Sequence, residues 1–316
     1  MEWIFLKKND SYVTVEGFNI RLTNVDKVLW PEYGITKGDY IKYLVDISPY
    51  ILKYLQDRAI VFTRYPDGIH GKSFYQKNCP NYAPEWIKIF SIKSSERSIR
   101  YILVDDIKTL VWVGNQACIE FHPWHSRIGS LDFPDYAIFD LDPMGNTDFD
   151  DALQLAAALK KALDLKGIKS FPKTSGASGL QVYVPLEPIY TYKQVQDFTK
   201  FFSMIIVNAF PKKTTIVRQV DKREGKLYMD YLQNIKGKTI IAPYSVRPRP
   251  EAAVSAPLTW DEVIEGNVDR KNFTIRTILD RVKDVGDLFS GAIEEKQNID
   301  SILKFIEENR NHLEGF

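Results

Sequence analysis

An apolar run that ends in a pair of acids, Tyr136-Ala137-Ile138-Phe139-Asp140-Leu141-Asp142-Pro143, constrains the fold of this chain more than any other stretch. Aromatic and branched side chains dominate it, as in a strand. Side chains alternate across a strand, so Asp140 and Asp142 leave it on the same face. Two ionised carboxylates that close repel each other unless a cation sits between them. Hard divalent ions such as Mg²⁺ and Mn²⁺ take oxygen ligands of this kind. An Asp-Pro turn closing a strand gives the same letters with no metal, since both residues are common in turns.

A length of 316 residues suits one large or two ordinary domains. A single domain over 1–316 is expected, with its core over about 20–289 and a helical tail from about 260 to 316. The charged fraction of 26% and hydrophobic fraction of 44% are those of a globular chain, which argues against disorder. No basic-then-apolar leader opens the chain and no apolar run is long enough to span a bilayer, so no membrane partner is expected. Cys79 and Cys118 are too few for a disulfide scaffold and have no zinc spacing, which fits a reducing cytoplasm. The net charge is only +1, yet ten basic residues and three acids lie between Lys212 and Arg249. Charge segregated in this way can attract anions on a nearly neutral protein, although a solvated basic face has the same composition.

Tyr12–Val15 and Asn19–Leu22 read as a strand pair around Glu16-Gly17, and a helix capped by Thr36 follows. Strands are expected at Ile60–Thr63, Ser73–Tyr75, Leu180–Val184 and Lys226–Leu232. Helices are expected after Asp148 and over about Tyr192–Ala209. Ile278, Leu279, Val282 and Val285 are spaced for one buried stripe. Helices and strands alternate without the regular unit of a doubly wound sheet. Hairpin signals such as Arg223-Glu224-Gly225-Lys226 favour an α+β fold with a largely antiparallel sheet.

Asp230 lies within the expected 226–232 strand and is the candidate third carboxylate; three acids on adjacent strands could hold two divalent ions. Alone, it reads equally as a surface aspartate paired with a lysine. Ser175-Gly176-Ala177-Ser178-Gly179 is a bend whose backbone N–H groups and hydroxyls suit phosphate oxygens, with Gln181 just beyond it. It lacks the Gly-Lys-Ser/Thr ending of a Walker A loop. Arg223 and Arg247 can fork onto a triphosphate. His122, among aromatic residues, is the best placed of the four histidines, though such a residue is often only packed in a core. Lys27 and Lys37 flank a Pro turn and could grip one phosphate. Arg64, Lys72, Phe74, Tyr75 and Lys77 could hold and stack an unpaired base, with one of the two aromatics expected to pack into the sheet.

In this order, the segments LTNVDKVLWP with Lys37, SFYQKN, IEFHPWHSR, FDLDP, KTSGASGLQVYVPL, REGKLYMDYLQN and IAPYSVRPRP resemble the polymerase domain of bacterial ligase D. That domain is the end-joining branch of the archaeo-eukaryotic primase superfamily, and the likeness runs from about Ile20 to about Phe289. The resemblance implies a primase-polymerase fold with helices flanking the sheet. It implies Asp140, Asp142 and Asp230 as metal carboxylates for two Mn²⁺ or Mg²⁺ ions. His122, Ser175, Arg223, Gln233 and Arg247 would surround the nucleoside triphosphate, together with Ser178 and Gln181 of the phosphate turn. Asn24, Lys27 and Lys37 match a pocket for the 5′-phosphate of a DNA gap or end, and Phe74 or Tyr75 matches a template-stacking aromatic. An ATP-dependent DNA ligase and the Ku end-binding protein are the partners it implies, at the nucleoid. Ser178 and Gln181 stand where the family commonly has lysine and histidine. With no ligase or nuclease portion, a stand-alone polymerase or an excised domain is expected. Two other readings fit some of the residues: an end-bridging module that binds a 5′-phosphate without synthesis, and an aspartyl phosphatase built on FDLD.

Overall fold

The computed structural model describes residues 3–7, 10–93 and 97–309. It divides into two compact units, neither contiguous in sequence. The first takes in residues up to Trp124 together with Ile241–Ser255 and Lys271–Asp284; the second takes in His125–Ile240, Ala256–Arg270 and the stretch from Val285.

The first unit opens with an antiparallel sheet of β1 (Trp3–Lys7), β2 (Asp10–Val15) and β3 (Phe18–Thr23). Val13, Val15, Ile20 and Leu22 alternate inward and pack on Ile41 and Val111. After a short β4 (Val28–Trp30) and β5 (Ile35–Thr36), α1 runs over Lys37–Leu55. Thr36 caps it as the sequence predicts: its hydroxyl accepts from the Asp39 N–H while the Asp39 carboxylate accepts from the Thr36 N–H. Next come β6 (Ile60–Arg64), β7 (Phe74–Gln76), β8 (Ile89–Lys93), β9 (Ser98–Ile102), α2 (Ile107–Asn115) and β10 (Cys118–Pro123). The sheet β10-β6-β7 leaves β7 at an edge, and Phe74 and Tyr75 are both exposed. The expectation that one of them packs into the sheet is thereby corrected: at the end of so short an edge strand Phe74 is 43% and Tyr75 74% exposed, with Arg64 over the Phe74 ring.

The second unit is built on a five-stranded sheet. Its strands are β11 (Tyr136–Asp142), β12 (Phe171–Thr174), β13 (Leu180–Pro185), β14 (Thr214–Thr215) and β15 (Leu227–Met229), and their order is β12-β13-β11-β15-β14. Two helices pack on it, α3 (Phe149–Asp164) and α4 (Tyr192–Ala209). The pairing is antiparallel throughout except for β14 with β15, which are parallel. The Arg223–Lys226 turn is real, with Glu224 and Gly225 at positive φ, but it does not close the antiparallel hairpin its residues suggest. Phe139 packs on Phe198 and Phe202 of α4. Asp140, one residue on, therefore points from the opposite face, as alternation requires.

The C-terminal stretch carries α5 (Trp260–Glu265), α6 (Ile278–Val285), α7 (Gly291–Glu294) and α8 (Asp300–Glu308). The expected stripe on α6 is narrower than predicted: Ile278 and Val282 are buried, while Val285, at the helix end, is exposed. The α+β class with an antiparallel-dominated sheet is as expected.

Candidate functional site

Asp140 and Asp142 lie on the central strand, opposite Gln181 of β13 and Tyr228 of β15 respectively. Asp230 is not inside a strand, as the sequence suggests. It follows β15 directly, and its N–H donates to the Asp140 carbonyl at 2.9 Å. The strand ends early because a short 3-10 turn, Tyr231–Gln233, bends the chain back. Asn234 then takes over the role of a strand neighbour: its fully buried side chain accepts from Ile138 N–H at 2.9 Å and donates to the Ile138 carbonyl at 2.7 Å. Residues 227–234 are thus fastened to β11 at both ends, with Asp230 between the fastenings.

Burial, followed by the charge of Asp142 and then of Asp230, pushes the Asp140 carboxyl well above its ordinary range; a hydrogen bond from Gln181 and the charge of Lys173 oppose this. Crowding of that sign is what a bound cation relieves, and carboxylate oxygens are the donors a hard divalent ion prefers. Asp140 and Asp142 fit such an ion. Asp230 is near enough for its charge to act on Asp140, and its Oδ1 accepts from the Tyr228 hydroxyl at 3.0 Å. Among the described residues no three His, Cys, Asp or Glu side chains form a ready-made metal cluster.

The 175–179 bend lies against the end of β11. A Cβ on Gly179 would stand 2.4 Å from the Leu141 carbonyl and 3.2 Å from Asp142 Oδ1, so only glycine lets the bend approach so closely. Ser175 is buried, and its hydroxyl accepts from the N–H groups of Ala177 and Gly179 at 3.1 and 3.0 Å. Ser178 is exposed at the tip. Arg270, which sequence reasoning missed, donates to the Ala177 carbonyl and lies over the Phe149 ring, bringing a cation to this bend. Arg223 is held by the carbonyls of Val217 (3.0 Å) and Arg218 (2.8 Å), and its guanidinium stacks 3.7 Å above the Tyr228 ring. One side chain thereby links Arg223 to the acid: Tyr228 carries the arginine on its face and Asp230 on its hydroxyl. Gln233 is buried and donates to the Thr239 carbonyl at 2.7 Å.

In the first unit, His122 on β10 and Arg247 share a partner that the sequence did not single out, Glu120. Arg247 Nη1 is 2.9 Å from Glu120 Oε1, and His122 Nε2 is 3.8 Å from Oε2. Burial alone would raise the Glu120 carboxyl; His122, Arg247 and Thr63 outweigh it and hold it low. The segment 240–247, which carries Arg247, is not a strand. Tyr244 has a positive φ of 66°, and of its residues only Val246 forms a bridge, to Val254.

Backbone hydrogen bonds bring Asn24, Lys27 and Lys37 together. Asn24 takes a left-handed conformation (φ 49°), its carbonyl accepts from Lys27 N–H at 3.0 Å, and the Lys27 carbonyl accepts from Lys37 N–H at 2.8 Å. Lys37 is buried, and its ammonium donates to the Asn115 carbonyl (3.1 Å) and the Thr23 hydroxyl (3.3 Å). Burial, then the charges of Lys27 and Arg64, pushes its pKa down to about 8. Lys27 is paired at the surface with Asp67, 2.6 Å away. Phe74, Tyr75, Lys77, Asn78 and Arg97 line a groove of about 400 Å³. Arg64 sits 5.2 Å from the Phe74 ring centroid.

A family model described as the primase-polymerase domain of LigD matches residues 36–289, which leaves Asn24 and Lys27 just outside it. The chain is 41% identical over 268 residues to the bifunctional non-homologous end joining protein LigD of Bacillus subtilis, covering 84% of this chain and 43% of that protein. It is 31% identical over 273 residues to the multifunctional LigD of Mycolicibacterium smegmatis, covering 86% and 36%. It therefore spans less than half the length of these relatives. Among solved structures, it is similar to the polymerase domain of Mycobacterium tuberculosis ligase D in complex with DNA. The TM-score is 0.82 at 29% identity, over 88% of this chain and 99% of that one.

Proposed function

The chain belongs to the LigD primase-polymerase domain family, and from that membership we propose that it is a template-directed nucleotidyltransferase that fills gaps and extends ends in non-homologous end joining. The reaction is attack of a primer 3′-hydroxyl on the α-phosphate of a nucleoside triphosphate, forming one phosphodiester bond and releasing pyrophosphate. One observation carries the reading: Asp140 and Asp142 leave the central strand on one face, with Asp230 fastened to Asp140 through its backbone. Two Mn²⁺ or Mg²⁺ ions on these carboxylates would supply Lewis acidity at the attacking oxygen and neutralise charge on the leaving pyrophosphate.

The protein's own part is positioning. The exposed Ser178 hydroxyl at the tip of the Ser175–Gly179 bend, whose shape Ser175 holds by accepting from the Ala177 and Gly179 N–H groups, receives phosphate oxygens, and Arg223 presents a guanidinium already fixed by two carbonyls. The resemblance extends nucleotide contact to Gln233, His122 and Arg247. Lys27, Lys37 and Asn24 take the 5′-phosphate of the downstream strand, and the exposed Phe74 and Tyr75 stack on an unpaired template base. A DNA ligase and Ku are the proposed partners, and the cytoplasmic nucleoid the proposed place of action.

The test is extension of a 5′-phosphorylated gapped duplex with Mn²⁺ and a ribonucleoside triphosphate. Wild type should extend, and Asp140→Ala should lose at least a thousandfold in rate. Equal extension by the two would refute the chemistry. Tight 5′-phosphate-dependent binding without incorporation would instead make the chain an end-bridging module.

A further inference from the structure

Lys173, Gln181 and Asp140 occupy one row across three neighbouring strands. Lys173 of β12 is the register partner of Gln181 of β13, and Gln181 is the register partner of Asp140 of β11. Register partners project from the same face of a sheet, so the three side chains meet end to end. Lys173 Nζ donates to Gln181 Oε1 at 2.5 Å, and Gln181 Nε2 donates to Asp140 Oδ1 at 3.0 Å. Lys173 is fully buried and Gln181 is 3% exposed.

We infer that Gln181 is a positioning residue that fixes the Asp140 carboxylate for cation binding, with Lys173 setting the sense of its amide. An ammonium is donor-only, so it selects the carbonyl end of the amide. The NH₂ end is then obliged to face Asp140. A carboxylate is otherwise free to turn about its last torsion; one held at Oδ1 is not. The amide carries no charge, so it orients the acid without cancelling the negative charge that attracts a metal. Groups that orient a metal ligand in this way are commonly worth about 10- to 100-fold in metal affinity. In this role Gln181 acts through Asp140 rather than through the phosphates.

The inference rests on the proposed metal site, and the experiment separates the two. Mn²⁺ affinity is measured from the free-ion electron paramagnetic resonance signal for wild type, Asp140→Ala, Gln181→Met, Gln181→Asn and Gln181→His. Thermal midpoints and binding of a 5′-phosphorylated DNA end are recorded alongside. Gln181→Met keeps the length but not the hydrogen bonds, and should weaken Mn²⁺ binding at least tenfold while leaving DNA-end binding unchanged. Gln181→Asn keeps an amide too short to reach both partners; it should lose as much, and it decides the matter where the Met variant does not fold. Gln181→His should stay within about threefold of wild type, because a neutral imidazole can accept from Lys173 and donate to Asp140. Mn²⁺ binding by folded Gln181→Met or Gln181→Asn within twofold of wild type, beside a clear loss in Asp140→Ala, overturns the positioning role alone. Unchanged binding by Asp140→Ala overturns the metal site and the positioning role together.

Discussion

At the residue scale, Lys37 makes a pH prediction with two opposite signs. Its folded pKa of about 8 lies below the ordinary lysine value of 10.5. Between those values the unfolded chain binds more protons, so this lysine's contribution to stability rises as pH climbs through the window. A phosphate needs the ammonium, so ligand binding runs the other way. Preference for a 5′-phosphorylated over a 5′-hydroxyl gapped duplex should fall several-fold from pH 7 to pH 9, and Lys37→Ala should show little preference at either. Fluorescence anisotropy at the two pH values checks it. Glu120 is the other residue with leverage, since it is buried against Arg247. Glu120→Ala leaves that guanidinium without its charged partner and should cost about 3 kcal/mol of stability. Chemical denaturation measures this directly, and a raised nucleotide KM would accompany it if Arg247 serves the triphosphate.

At the scale of elements, the second unit depends on two places where ordinary strand pairing gives out. Beyond Asp230, whose N–H makes the last backbone bond to β11, the ladder stops, and the Asn234 side chain replaces it. Asn234→Leu would leave the Ile138 N–H and carbonyl buried without partners, at roughly 1–3 kcal/mol for each group. The variant should melt lower and should lose incorporation out of proportion to its loss of fold, because Asp230 is held by the same segment. The second place is Gly179. Gly179→Ala puts a methyl 2.4 Å from the Leu141 carbonyl and must push the bend away from β11. Near-wild-type circular dichroism with a sharply lower rate is the expected pair of results.

At the scale of the whole molecule, the chain returns late to finish what it began. In the second unit the Thr174 N–H donates to the Ala256 carbonyl and the Leu258 N–H to the Pro172 carbonyl, so residues 256–258 cover the outer edge of β12. Phe289 then packs on Tyr183 and Phe171 of the same sheet. A protein ended after Ser255 would expose that edge and that apolar face together. It should aggregate or bind a hydrophobic dye, whereas the full chain should do neither.

Much of this was legible in the residues because the signals are local. The Thr36 cap, the α4 limits and the shared face of Asp140 and Asp142 follow from periods of 3.6 and 2 and from one hydroxyl. The pairing of Lys27 with Lys37 was suggested by a short Pro turn, and Asn24 was added to it only by the family resemblance. Glu120, Asn234 and Arg270 were not, since each matters through a partner many residues away whose proximity no spacing encodes. The exposure of both Phe74 and Tyr75 was hidden for a related reason: alternation assigns two faces to a strand but cannot say how much of either is buried. Sequence by itself therefore determined the chemistry available along β11, while tertiary structure decided which distant groups aim it. Pairing register and burial are properties of neighbours in space, and they turned a glutamine, a lysine and an aspartate from three strands into one hydrogen-bonded row.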